Sequence, residues 1–145
     1  MKEEIVVELW AASIPGFSGL VADHHWLLVL RGLDGDHHES CDRWEIWQRP
    51  SLNDSCWGHL HKNLLAPYQD VGNGPSRLIR HWVAEDAKLL SARIESAPRT
   101  YPFKSKYVYW PGPNSNTFVQ WVVRDRMSLS ARALGKRYPV PENAG

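Results

Sequence analysis

The chain has 145 residues, enough for one domain around a single core. A formal net charge of +1 gives no electrostatic case for nucleic acid or an acidic membrane surface, and no run reaches transmembrane length, which excludes stable membrane insertion as an expectation. Hydrophobic content of 43%, charged content of 23% and only two cysteines fit a soluble globular protein without a disulfide framework.

Ile5 to Trp10 is a short apolar run rich in β-branched residues and reads as a first strand. Ser13 to Gly19, with Ile14-Pro15-Gly16 inside it, reads as a loop. His24 to Arg31 is the clearest strand. Its two alternating faces, His24, Trp26, Leu28, Leu30 and His25, Leu27, Val29, Arg31, are both largely apolar, so a central strand covered on both sides is expected. Gly32 to Asp42 reads as a polar turn region with a hairpin signal at Asp34-Gly35, and Arg43 to Gln48 as the returning strand. Glu45 shares a face with Trp47 there, and a buried glutamate needs a partner.

Pro50 to Pro75 reads as loop, with a short strand or helical turn near His59 to Leu65. Arg77 to Val83 is a further strand. Ala84 to Ala97 reads as a helix, with Glu85 and Asp86 near its positive end and Pro98 after it. Lys106 to Trp110 reads as a short strand or an extended approach to a stiff loop, Pro111-Gly112-Pro113. Asn114 then reads as a helix N-cap, and Phe118, Trp121 and Val122 at i, i+3, i+4 mark an apolar helical face running to about Met127. The tail beyond it reads as extended or loosely ordered. Together these elements predict an α+β fold over residues 1–145, an antiparallel sheet of about four to six strands packed against two helices.

Ser115 would open the second helix, where free N–H groups favour an anion or a developing oxyanion. A nucleophile there needs a base and an orienting group. His24 or His25 can supply the base, and Glu45 the orienter from the adjacent strand. Cys56 is a rival nucleophile, since Ser55-Cys56-Trp57 partly echoes papain, but too few residues follow it for papain-type order. His59 and His61 would share a strand face, with Asp36, His37 and His38 nearby in sequence. No spacing fixes a metal site, so no metal or other cofactor is assigned. Eight tryptophans are many for this length. Trp26, Trp44, Trp47, Trp57 and Trp110 are candidates to wall a groove for a sugar ring, an acyl chain or a peptide.

Trp110 to Phe118, with His24-x-Trp26 on one strand and Glu45 between aromatic and aliphatic residues on the next, resembles an uncharacterised bacterial domain family. That family is grouped with the circularly permuted papain-like fold of NlpC-type peptidases, YiiX-like proteins and lecithin:retinol acyltransferase. The resemblance covers roughly residues 5 to 140. It implies that Ser115 stands on the nucleophile position, His24 on the base position and Glu45 on the third polar position. The usual nucleophile is a thiol, and serine in its place needs a well-placed base. The implied activity is hydrolysis or acyl transfer on an amide or ester: cell-wall peptide, acyl lipid or protein amide. Asn114 and Asn116 would serve the oxyanion, and Trp110 and Trp26 the substrate. The alternative is a binding module that keeps the cleft for a peptide, glycan or acyl ligand. The sequence shows no signal-peptide pattern, so a cytoplasmic location is expected, with secretion or delivery as an effector left open.

Overall fold

The computed structural model describes residues 4–16, 22–34, 37–72 and 74–141. Five strands form one sheet: β1 (Ile5–Ser13), β2 (Asp23–Asp34), β3 (His37–Asn53), β4 (Cys56–Lys62) and β5 (Arg77–Trp82). Their order is β4-β3-β2-β1-β5, and every neighbouring pair is antiparallel. Two helices, α1 (Ala84–Thr100) and α2 (Ser115–Val123), complete the α+β architecture. No helix among the described residues is long and apolar enough to cross a membrane.

Strand alternation divides the buried residues into two layers. Val7, Leu9, Leu27, Val29, Trp44, Ile46 and Leu60 face the helices, where they meet Leu90, Ile94, Phe118 and Val122. Ala12, Trp26, Leu28 and Leu30 form a smaller cluster on the opposite face. The loop after β4 covers that face: Trp26 Nε1 donates to Pro67 O at 3.0 Å, and Tyr68 packs on Trp10. β2 is therefore central and buried on both sides, as its two apolar faces predict.

The strands run longer than expected. The predicted polar region Gly32 to Asp42 is mostly strand, because β2 and β3 pair from Leu27↔Trp44 out to Asp34↔His37. The turn residues Gly35 and Asp36, the loop residues 17–20 and the side chain of His37 lie outside the described residues. β3 also continues through Pro50 to Asn53. The β3–β4 register shifts between Ile46 and Ser51, so Pro50 lies in a bulge where the ladder needs no N–H from it. Lys106 to Trp110 forms no strand.

The helix α1 runs past Pro98 to Thr100, with the Tyr101 N–H still donating to Ala97 O at 2.9 Å. A proline in the last turn removes one helical bond without ending the packed face. The nine residues of α2 are too few to hold a helix by propensity. Fully buried Phe118, Val119, Val122 and Val123 supply the stabilisation, about 1.5–3 kcal/mol for each large side chain removed from water. The predicted extension to Met127 is a turn instead. The tail is ordered through Pro141 and buries Leu129 and Ala133; residues 142–145 lie outside the described part. The Asp23 N–H donates to Arg132 O at 2.9 Å, which ties the tail to the start of β2.

Candidate active site

The site lies where β2 and β3 part. Their ladder ends at Leu27↔Trp44, and extending that register would set His25 opposite Ile46. The N-terminus of α2 enters this gap instead. Ser115 Oγ donates to His25 O at 2.8 Å and accepts from Ile46 N at 3.2 Å. A buried hydroxyl thus replaces a direct rung between the two strands, and its proton is committed to a carbonyl.

Local sequence fixes that position. Asn114 Oδ1 accepts from the N–H groups of Asn116 and Thr117, at 2.9 and 3.3 Å. Thr117 Oγ1 accepts from the Asn114 N–H at 3.1 Å, which completes a capping box. Asn114 is the N-cap that its sequence context predicts. Ser115 follows it, and its N–H is a first-turn donor that helix geometry leaves without an intrahelical acceptor. The peptide bonds Trp110–Pro111 and Gly112–Pro113 are both cis in the loop that delivers the chain here.

The two histidines occupy opposite faces of β2. His25 points to α2, where its N–H and Nδ1 both donate to Asn116 Oδ1, at 3.1 and 3.0 Å. Burial lowers its pKa to about 4, against the opposing hydrogen bond to Asn116, so the ring is neutral near pH 7. His24 lies on the other face with Trp26. Its Nε2 donates to Glu45 Oε1 at 2.7 Å. Arg43 grips the same carboxylate twice, Nε to Oε2 at 2.6 Å and Nη2 to Oε1 at 3.1 Å. Burial alone would raise the Glu45 pKa. The hydrogen bond and charge of His24, and then those of Arg43, outweigh it and hold the carboxyl below its usual range.

His24 and Ser115 both border one cleft of about 300 Å³, which also takes in Ile46, Trp47, Gln48, Tyr107 and Tyr109. The rings and aliphatic groups form its body, and the start of β2 and the cap of α2 form a polar end. Asp23 borders it too. Burial would raise that carboxyl, but hydrogen bonds from Arg132 and Arg77, with their charges, bring it below the ordinary range. The structure therefore joins His24 to Glu45, as the residue types suggest, and directs Ser115 to backbone groups.

The amides of Asn114 and Asn116 are both engaged on carbonyls. Asn114 Nδ2 donates to Tyr109 O, and Asn116 Nδ2 to Asp23 O and Leu134 O. Trp26 is fully buried under the Arg43 guanidinium, 3.9 Å from its ring centroid, and is not among the residues that line this cleft. Trp110 is 61% exposed and edges a separate depression of about 540 Å³ beside Tyr138. Trp44 and Trp57 stack on each other at 5.6 Å. Of the five tryptophans proposed for a groove, Trp47 alone borders the cleft. Sequence reasoning missed Arg43, although Arg43 and Glu45 are two apart on a strand and must share a face. Tyr107 and Tyr109 carried no local signal, because they reach the site through an irregular loop.

An antiparallel α+β sheet with a helix N-terminus opening into a strand gap defines the class of protein. A family model described as Protein of unknown function (DUF3750) matches residues 4–138, and the chain belongs to that family. No curated protein and no solved structure is a significant match.

Proposed function

We propose that this chain is a binding domain whose cleft takes a small acyl or peptidyl ligand. The observation that carries this reading is the placement of the Ser115 hydroxyl. Its proton sits on the His25 carbonyl, which is no base, while His24 is turned to Glu45. A nucleophilic serine needs the opposite arrangement. The cleft itself suits binding: its volume is at the lower end for small-molecule sites, its body is aromatic and aliphatic, and its polar groups gather at one end. A carbonyl or carboxylate at that end would meet the Ser115 N–H and the His24 ring, with the apolar part against Trp47.

Hydrolysis or acyl transfer is the second reading, and one observation favours it. The His24–Glu45 pair borders the same cleft as Ser115. In that reading Ser115 leaves its rung, His24 takes its proton, and the Ser115 N–H stabilises the oxyanion. Kinship with the permuted papain-like proteins belongs to this proposal. It is supported by the chain order of a histidine strand, a glutamate strand and a helix opening on the nucleophile position.

Two measurements separate the readings. Amide NMR spectra would be recorded while short fatty acids, N-acyl amino acids and dipeptides are titrated in. Saturable shifts at His24, Trp47 and Ser115 that vanish in Trp47→Ala are expected for the binding domain; a panel that moves none of these signals overturns it. Intact mass after a fluorophosphonate probe should show no adduct. An adduct on wild type that is lost in folded Ser115→Ala would establish the hydrolase.

A further inference from the structure

A pairing of a nucleophile with a histidine ring lies in the β3–β4 hairpin, and neither partner borders the cleft. Cys56 opens β4 just below the exposed residues Asn53 and Asp54. Gly58 has φ +71°, which breaks the strand's alternation and lets Cys56 meet His61 although they are an odd number of residues apart. A side chain at position 58 is barred as well, since a Cβ would lie 2.4 Å from Lys104 O. Cys56 Sγ and His61 Nδ1 are 2.9 Å apart, and His61 Nε2 is 2.9 Å from Arg49 O. The carbonyl can only accept, so Nε2 carries the ring proton of the neutral imidazole. Nδ1 is then the lone pair that faces the thiol. The arrangement is a thiol, a base and a group that orients the base.

We infer that Cys56 is a peroxide-reactive thiol, with His61 as the group that takes and returns its proton. The S–H proton passes to Nδ1 as sulfur bonds to one oxygen of a hydroperoxide. The O–O bond breaks, and the departing hydroxide (alkoxide for an organic hydroperoxide) recovers the proton from Nδ1. Cys56 ends as the sulfenic acid with release of water from hydrogen peroxide, or of the alcohol from an organic hydroperoxide: sulfur is oxidised and the peroxide reduced. Arg49 O steadies the ring while it is transiently charged. The ligand class is a small hydroperoxide, because Cys56 is only 6% exposed and a bulky electrophile would not reach it.

Cys41 provides the comparison within the same molecule. It is more exposed than Cys56, yet burial, with the charges of Glu8 and Asp42, pushes its thiol up to about 11. Exposure alone would favour Cys41, whereas the Cys56–His61 geometry favours Cys56.

The test treats the full chain with hydrogen peroxide for timed intervals, removes the peroxide with catalase, traps the sulfenic acid with dimedone after unfolding in urea, and follows both cysteine peptides by mass spectrometry. In the native protein Cys56 should label on the order of tenfold faster than Cys41, and the two rates should converge in urea. His61→Gln, with its fold checked by circular dichroism, should slow Cys56 roughly a hundredfold and leave Cys41 unchanged. Equal labelling of the two cysteines in the native state, faster labelling of Cys41, or an unchanged Cys56 rate in folded His61→Gln overturns the inference. If His61→Gln does not fold, the native rate ratio of the wild type decides alone. None of these readouts depends on what occupies the cleft.

Discussion

The Ser115 hydroxyl donates to the main-chain carbonyl of His25, at 2.8 Å, and not to a histidine ring. It accepts from the Ile46 N–H at the same time, so one side chain closes the gap between two strands. Ser115→Ala would leave a buried carbonyl and a buried N–H without a partner. The expected loss is about 1–3 kcal/mol, which at this chain length lowers Tm by roughly 5 °C. Urea and thermal unfolding measure it. A change under about 0.5 kcal/mol would mean that the two backbone groups find other partners.

Glu45 is the centre of a charged group with no exposure: both Glu45 and Arg43 have side chains at 0%. Removing one member leaves the other as an uncompensated buried charge, which costs far more than the pair contributes when whole. Glu45→Gln should therefore destabilise by about 3 kcal/mol. It should also loosen the loop after β4, because Arg43 Nη1 donates to Ala66 O and Gln69 O. Urea midpoints give the first effect, and limited proteolysis between residues 63 and 76 gives the second. Wild-type resistance to protease in the variant would show that Arg43 holds the loop without Glu45.

Two pH windows are separable. His25 has its pKa lowered by burial from 6.5 to about 4, opposed by its bond to Asn116 and influenced by the nearby charges of His24, Asp23 and Arg77. Between those values the unfolded chain binds a proton that the folded chain refuses, so stability falls as pH drops. The loss is on the order of 3 kcal/mol across the window. The Glu45 and Asp23 carboxyls are held below their ordinary values, so their contribution is present above about 4.5 and is lost as pH falls further. His25→Asn keeps a donor near the Nδ1 position but cannot titrate. It should flatten the unfolding free energy between pH 6.5 and 4 while leaving the steeper acid limb. A variant as steep as wild type in the upper window would assign that slope to another group.

The parts that were legible in the sequence are those that local chemistry decides. Asn114 caps α2 because its own neighbours supply the N–H groups, and β2 is central because both of its faces are apolar. The hairpin of β2 and β3 brings a histidine to Glu45, although His24 is selected over His25 only by the register Leu27↔Trp44. What was not legible depends on register and on distant chain. Strand alternation gives His24 and His25 opposite faces, but it does not say which face α2 covers, so the role of Ser115 stayed open. The β3 bulge, which turns Trp47 and Gln48 into the cleft and Arg49 O toward His61, follows from a register shift that no single strand announces. The glycine kink that joins Cys56 to His61 is hidden in the same way.

The tail gives the sharpest steric prediction. Gly135 has φ +94°, and a Cβ there would lie 2.3 Å from the Asn114 amide nitrogen. Gly135 O also accepts from Thr117 Oγ1 at 2.7 Å, so the tail grips both members of the α2 capping box. Alanine must then either adopt a left-handed backbone against contact or lift the tail from the helix, and each route costs at least about 1–2 kcal/mol. Gly135→Ala should lower the urea midpoint and expose the segment after Val123 to protease. Gly74→Ala is the control, since its Cβ would meet nothing within 4 Å, and it should stay within about 0.5 kcal/mol of wild type. If both substitutions behave alike, the tail is not docked on the cap, and the ordering of α2 must come from its buried face alone.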